Sequence, residues 1–466
     1  MKNVRPGDYF TIPLFVLHIL IALSFIDWAS LSDNRLTSFS LVEDLFPKTE
    51  VAVSKIEVDP ELFEALEEVT SDVEVPLQQL DENSAVDDAQ PIQPSAPAAP
   101  EWIDGVLPIE DYSPDGDGAA QLRAALERTD RPARIAVIGD SYIEGDIFTQ
   151  DLRSLLQERY GGRGVGYMAM HSDFPGFRRS VFQSDNGWTV ADIRKLSGGD
   201  PLRIIPGEYC IGDYGATASF RGSKLAHADS WSVARLLCVA PLGGSVTMRG
   251  DGVAKTFDLA PSADISCLTL EGETSTISVT SGADSLSVLG LWLDDPTGVS
   301  VDCMSLRGNS GATHRSLSVD VARRMAEHID YDMIIVEYGM NALSSEQTEY
   351  SSYSLLMRRV VERLRQCYPD ASILMFGVGD RGQKSGTDVV SLPTVEAMIK
   401  AQRDCAAASG VMFWDVREAM GGAGSVVDWR DRGLVNADYI HLSHKGGAEL
   451  ASIFVKSLFM KLDENR

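Results

Sequence analysis

From about residue 119 onwards, short apolar runs alternate with segments that have one apolar helical face. The segment Gly145–Tyr160, for example, places Phe148, Leu152 and Leu156 on one side of a helix. Strands that alternate with helices at this spacing predict a parallel sheet with right-handed crossovers. The predicted elements are helix Ala120–Arg128, strand Arg134–Ile138, helix Gly145–Tyr160, strand Val299–Leu306, strand Met333–Tyr338, helix Ser354–Arg365, strand Ser372–Val378, helix Val395–Ala408, strand Val411–Val416 and helix Gly447–Leu458.

A different pattern fills residues 176–297, where short β-type runs recur about every ten residues between Gly, Asp and Ser. This spacing is typical of a small β-sandwich or jelly roll. It interrupts the α/β pattern, so we predict an inserted domain at 176–297 between two parts of an α/β domain, 119–175 and 298–466. The predicted strands are Ala216–Phe220, Ser232–Val239, Ser245–Arg249, Ala254–Asp258, Ile265–Leu270, Thr276–Thr280 and Ser285–Trp292.

Residues 1–29 contain one apolar run, Phe10–Ile26, preceded by Lys2 and Arg5. Seventeen residues is close to the shortest length that spans a bilayer, and the preceding positive charges favour a cytoplasmic N-terminus. We therefore predict a transmembrane helix that anchors the protein in the cytoplasmic membrane, with the rest periplasmic or otherwise extracytoplasmic. A cleaved signal peptide is the alternative, and it also predicts export.

Residues 30–118 are acidic and become rich in proline towards their end, which predicts a disordered linker. Of the formal net charge of −27, about −19 lies in residues 33–130, which carry 24 acidic and 5 basic side chains. The remaining chain is only mildly acidic and has no basic track, so nucleic acid is a poor candidate partner. The six cysteines are scattered without metal-ligand spacing and are expected in the core, although a disulfide outside the cytosol stays open.

Four short motifs follow predicted strands or close the loop before the last helix: Gly139-Asp140-Ser141, Gly308 to Ala312, Gly339-Met340-Asn341, and Asp438 to His441. Ligands of an open parallel sheet bind outside the carboxyl ends of its strands. Each motif alone is a weak signal, because such triplets usually mark ordinary turns. Their order and their shared position at strand ends indicate one site.

Together the motifs supply what acyl transfer to a serine needs. Ser141 is a weak nucleophile without a base, which His441 can provide, and Asp438 can hold the imidazole in the required tautomer. The oxyanion needs preorganised donors, for which the candidates are the backbone N–H groups of Ser141 and Gly311 and the side-chain amide of Asn341. Glycine suits position 311 because the backbone must come close to the reacting carbonyl.

This set of motifs resembles the four sequence blocks of the SGNH (GDSL-type) hydrolase superfamily. Within it, the stretch Gly139 to Asp146, the exit from the β-rich region and Trp429 to Gly447 are similar to bacterial peptidoglycan O-acetyl esterases. The resemblance implies a flavodoxin-like three-layer α/β/α fold, with Ser141, Asp438 and His441 as triad and Gly311 and Asn341 as oxyanion donors. Tyr142, where relatives often have His, and Ala342, where they often have Asp, depart from the pattern.

The resemblance implies removal of O-acyl groups, in particular O-acetyl groups, from a cell-envelope polysaccharide such as peptidoglycan, without a cofactor or metal. An O-acetyltransferase that uses the same acyl-serine stays open, because sequence does not show whether water or a sugar hydroxyl meets the acyl-enzyme. A non-catalytic glycan-binding protein is a third possibility, which the intact blocks disfavour. Lipase or thioesterase action ranks lower because no long apolar lid segment is visible.

Overall fold

A computed structural model describes residues 100–196, 199–386 and 388–464. The predicted anchor, residues 1–29, and most of the predicted linker, residues 30–118, lie outside these ranges. Within them, no helix combines the length and apolarity needed to cross a membrane.

The described residues form seventeen strands and eight α-helices. The strands are β1 (Glu110–Asp111), β2 (Ala133–Gly139), β3 (Gly164–Met168), β4 (Val181–Asp192), β5 (Glu208–Gly222), β6 (Trp231–Val239), β7 (Gly244–Gly250), β8 (Val253–Leu259), β9 (Ser266–Thr274), β10 (Thr276–Ser281), β11 (Leu286–Asp294), β12 (Val299–Ser305), β13 (Met333–Glu337), β14 (Ser372–Phe376), β15 (Gly382–Ser385), β16 (Asp388–Ser391) and β17 (Met412–Trp414). The helices are α1 (Ala120–Leu126), α2 (Thr149–Tyr160), α3 (Val319–Ala326), α4 (Ser351–Cys367), α5 (Val395–Ser409), α6 (Val416–Met420), α7 (Ser425–Asp431) and α8 (His444–Asp463).

The first sheet has the order β1-β17-β14-β13-β2-β12, and all its pairings are parallel except β1 with β17. Every residue of β2, β13 and β14 is buried, which explains why these strands read as unbroken apolar runs rather than as alternating ones. Helix α8 packs on α2, and α4 packs on α3 and α5. The fold is therefore an α/β fold built on a mainly parallel sheet, and the carboxyl ends of its parallel strands share one edge.

The second sheet contains nine antiparallel strands, all of which lie between α2 and β12 in sequence. Five of the seven β-type runs predicted from the sequence fall within one of them, and the other two, Ile265–Leu270 and Ser285–Trp292, begin one residue before β9 and β11. Edge strand β8 contacts edge strand β9, so the sheet curls around a core of its own. Strands β3 and β4 were not predicted, and β3 joins this sheet although it precedes residue 176.

A buried polar cluster connects the two sheets. Arg134 of β2 donates hydrogen bonds to Asp294 of β11 at 2.5 Å and to Ser300 at 3.0 Å. Asp302 of β12 accepts from the Trp292 indole N–H at 2.7 Å and from the Tyr167 backbone N–H at 3.0 Å. Buried charges need such partners, and these contacts fix the second sheet beside β2 and β12.

Two predicted boundaries need correction. The linker was drawn to residue 118, but Leu107 and Ile109 are buried and β1 pairs with β17. Acidic side chains in this stretch have distant partners, such as Lys461 for Asp111 at 2.8 Å, so local composition misled the prediction. The helix predicted from Gly145 starts at Thr149 instead, because Gly145 and Asp146 adopt left-handed φ values of 67° and 65°.

Candidate active site

The structure brings Ser141, His441 and Asp438 together. The Ser141 Oγ lies 2.9 Å from His441 Nε2, and His441 Nδ1 lies 2.7 Å from Asp438 Oδ2. Because a carboxylate only accepts, Nδ1 carries the proton that is donated to Asp438, and Nε2 is then the acceptor for the serine hydroxyl. This is the tautomer that a serine nucleophile requires of its base.

Asp438 is bound on both oxygens. Its Oδ1 accepts from the backbone N–H groups of Ile440 at 3.0 Å and His441 at 3.1 Å, while Oδ2 takes the imidazole proton. Burial opposes ionisation, but these hydrogen bonds outweigh it and lower the pKa of the Asp438 carboxyl. The spacing of three residues thus works because a tight turn, with Tyr439 at φ 57°, folds the carboxylate back onto the ring.

The buried carboxylate of Asp146 stabilises the loop that carries Ser141. It accepts two hydrogen bonds from Arg153 of α2, at 2.7 and 2.8 Å, and one from Ser180 Oγ at 2.7 Å. Arg178 lies 3.4 Å away and donates to the Tyr167 and Val165 carbonyl oxygens of β3. Although burial opposes it, the charges of Arg153 and Arg178 hold the pKa of Asp146 far below its usual range. The nucleophile loop is thereby connected to both sheets.

The two predicted oxyanion donors already have acceptors in this structure. The Gly311 N–H donates to Asn309 Oδ1 at 2.9 Å, and Asn341 Nδ2 donates to Asp140 Oδ2 at 2.7 Å and to the Asn309 carbonyl at 3.2 Å. Catalytic hydrogen bonds often form only with bound substrate, so the oxyanion role of Gly311, Asn341 and Ser141 stays a prediction. To act as oxyanion donors, Gly311 and Asn341 must give up their present acceptors and donate to the substrate oxygen instead.

A second reason, besides close approach of the backbone to substrate, favours glycine at position 311. Its φ is 91°, which favours glycine, and a Cβ there would lie 2.8 Å from the Tyr338 ring. The aromatic ring and the buried Asn309 therefore fix the backbone of this loop. Sequence analysis missed Asn309, although its place two residues before a turn glycine is typical of an Asx turn.

A buried pair of carboxyl groups lies behind Ser141, and sequence analysis missed it. Asp140 is 0% exposed and Glu337 is 2% exposed, and Glu337 Oε2 accepts the Asp140 N–H at 3.4 Å. Burial, followed by the charge of Asp140, raises the pKa of Glu337 well above its usual value. Asp140 accepts from the Tyr142 N–H and from Asn341, so the pair supports both the serine turn and the predicted oxyanion amide.

Other residues singled out in the sequence have different places. Arg381 is only 5% exposed, and burial lowers its pKa although the charge of Asp438 opposes this. The last helix, predicted from Gly447, begins at His444. Trp231 and Trp292 are fully buried and belong to the core. Among the described residues, no group of His, Cys, Asp and Glu is arranged to hold a metal ion.

All six cysteines are unpaired, and five of them are buried, as expected for core residues. The sixth, Cys267, is partly exposed on β9.

Comparison with known proteins agrees with this geometry. Residues 277–448 match the model of the GDSL-like lipase/acylhydrolase family, a range that includes Gly311, Asn341, Asp438 and His441 but not Ser141. A search of curated proteins found no match.

Among solved structures, a peptidoglycan O-acetylesterase is similar at 21% identity and a TM-score of 0.62, over 76% of this chain and 99% of that one. A family two carbohydrate esterase from Cellvibrio japonicus matches at 11% identity and a TM-score of only 0.27, over 61% of this chain and 100% of that one. The first of these supports the fold, and the second is too distant to bear on it. Residues 277–448 therefore resemble the GDSL-like lipase/acylhydrolase family, and the described residues share the α/β fold of a peptidoglycan O-acetylesterase. Ser141, His441 and Asp438 are arranged as a serine esterase would require.

Proposed function

We propose that the protein removes O-acyl groups, specifically O-acetyl groups, from a cell-envelope polysaccharide such as peptidoglycan. The observation that carries this proposal is the hydrogen-bonded series from Ser141 Oγ through His441 to Asp438 at the edge of the parallel sheet. The fold shared with a solved peptidoglycan O-acetylesterase supports the substrate class.

In the proposed reaction, Ser141 Oγ attacks the ester carbonyl while His441 Nε2 takes its proton. The imidazolium that forms is stabilised by Asp438, whose pKa is already lowered by the same contact. His441 then returns the proton to the departing sugar oxygen, which leaves an acyl-serine. Water, deprotonated by His441, hydrolyses that ester and releases the carboxylic acid.

The test is acetate release from O-acetylated peptidoglycan by the part of the protein that follows residue 99, with Ser141→Ala as its control. We expect acetate from the first and only background from the second. Acetate release from the polymer at equal rates by both proteins would refute the proposal. Acetyl transfer to added glycan that outpaces free acetate would assign the protein to the transferases instead.

A flavodoxin-like catalytic part interrupted by an inserted β domain is included in the proposal. Taken in chain order, the five parallel strands of the first sheet have the spatial order 2-1-3-4-5, which that fold shares. Its test is native-state hydrogen exchange. Residues of β4 to β10 should open together, separately from β2 and β13, whereas a single protection free energy for both sheets would contradict the division.

We also propose that residues 1–29 hold the protein in the cytoplasmic membrane, with the catalytic part outside the cytoplasm. The apolar run Phe10–Ile26 after two basic residues supports this location. Protease added outside the cytoplasmic membrane should degrade the protein, which should sediment with membranes. A soluble form that begins near Ser30 would show a cleaved signal instead, and protection from protease would contradict export.

A further inference from the structure

A cavity of about 410 Å³ lies beside the nucleophile loop, between it and the second sheet. One wall is formed by Glu144 and Gly145, which follow Ser141 by three and four residues, and another by Met304 to Arg307 at the end of β12. These two walls are adjacent, since the Leu306 N–H donates to the Gly139 carbonyl at 2.9 Å. Strands β3 to β5 and the loop between β3 and β4 provide the opposite side, so the cavity lies between the second sheet and the loop that carries Ser141.

The loop between β3 and β4 lines this cavity with an exposed aromatic ring. Phe174 is 60% exposed, which is unusual for so large an apolar side chain. The guanidinium of Arg307 lies 5.6 Å from its ring centroid and is itself ion-paired with Glu144 of the nucleophile loop. An open aromatic face beside a fixed cation provides a flat platform at the rim of the cavity.

Inside the cavity, Glu208 differs from the other charged side chains. Asp192 binds Arg194 at 2.6 Å, and His171 binds Asp185 at 2.7 Å. The Glu208 carboxyl has no hydrogen-bond or ion-pair partner among the described residues, and burial with the nearby charge of Asp192 raises its pKa to about 7. Because none of the described protein groups is bonded to this partly exposed carboxyl, a ligand in the cavity can supply a hydrogen-bond donor to it.

We propose that this cavity binds one sugar ring of the substrate glycan, next to the sugar that carries the acyl group, by stacking on Phe174 and hydrogen bonding to Glu208. A sugar ring offers a face of C–H groups for the aromatic platform and hydroxyl donors for the carboxyl. A fatty acyl chain fits poorly, because the walls carry the ion pairs of Arg194, His171 and Arg307. The inference rests on the proposed function, whose substrate it makes more specific.

The first test measures binding, in a protein that cannot turn over. In the Ser141→Ala background, Phe174→Ala and Glu208→Gln should each weaken the binding of peptide-free, de-O-acetylated peptidoglycan oligosaccharides by about 10-fold, measured by calorimetry. Tyr214→Ala is the matched aromatic control, because Tyr214 is 79% exposed on β5 but does not line the cavity. Glu271→Gln on β9 is the matched control for the carboxyl.

The second test uses the active protein. The ratio of kcat/KM on O-acetylated polymer to kcat/KM on a small acetyl ester should fall about 10-fold in Phe174→Ala and Glu208→Gln and stay constant in Tyr214→Ala. Affinities and ratios equal to those of the controls would overturn the proposal. The proposal would also be overturned if Phe174→Ala and Glu208→Gln still bound oligosaccharide but no longer bound free stem peptide. The cavity would then bind peptide.

The two proposals fail in distinguishable ways. A protein that hydrolyses no acetyl ester would refute the proposed function, whereas the binding test in Ser141→Ala would still decide what the cavity holds.

Discussion

Beside the parallel sheet the predicted reacting groups lie in loops at strand ends, whereas beside the second sheet the two proposed binding groups are far apart in sequence. Ser141 and Asn341 each follow a buried strand within four residues, and His441 stands three residues from its carboxylate. Phe174, in contrast, lies in the loop between β3 and β4, and Glu208 is the first residue of the 15-residue strand β5. The predicted reacting groups therefore lie on compact sequence motifs, while the proposed binding groups are brought together only by folding.

The largest effect should come from the first region. Ser141→Ala should lower kcat on any ester by roughly 10⁶, because no other group can form the acyl-enzyme. His441→Ala and the double variant should be about equally inactive, since the groups act as a unit. Initial rates on a small acetyl ester and on polymer would check this. Additive losses in the double variant would show that Ser141 and His441 do not act together.

The next effect should reveal how strongly the two regions depend on each other. Arg134→Met would leave Asp302 and Asp294 buried without their guanidinium, although Asp294 keeps Arg235 at 2.8 Å. Breaking a buried pair in this way destabilises by about 3–5 kcal/mol, which denaturant unfolding would measure.

The double variant with Arg134→Met and Asp294→Asn should recover part of the unfolding free energy that Arg134→Met loses. If Arg134→Met leaves the unfolding free energy unchanged, the cluster does not hold the sheets together.

A smaller effect concerns the predicted oxyanion amide. Asn341→Ala should lower kcat by about 10² to 10³ with little change in KM, because the bond to the oxyanion forms in the transition state. Asn341 now donates to Asp140, so Asp140→Asn should also disturb its orientation and lower kcat. An increase in KM at constant kcat would instead make Asn341 a ground-state binding residue.

Parts of both regions could be predicted from the sequence, and parts of both could not. Strands such as β2 and β13 are buried throughout and therefore read as apolar runs, and the triad lies on short motifs. Strand β1 is only two acidic residues, and Glu110 is held by Arg403, which is 293 positions away. No local pattern encodes that partner, nor the pairing of Asp140 with Glu337, nor the cavity around Glu208.

The pH dependence of stability offers the smallest and most specific test, because it addresses the buried carboxyl pair behind Ser141. Burial raises the pKa of Glu337 in the folded protein above its value in the unfolded chain. The folded state then binds more protons than the unfolded state between these two values, so the unfolding free energy falls as pH rises through that window. The limiting slope for one such group is about 1.4 kcal/mol per pH unit.

Glu337→Gln removes this titration and keeps an oxygen that can accept the Asp140 N–H, now at 3.4 Å from Glu337 Oε2. We therefore expect its unfolding free energy to fall less than that of the wild type between pH 5 and pH 8, measured by denaturant unfolding at several pH values. Glu362→Gln, at an exposed position of α4, is the control and should follow the wild-type curve. Because burial behind the nucleophile is what sets Glu337 apart from Glu362, parallel curves for all three proteins would show that Glu337 ionises in the folded protein as readily as in the unfolded chain.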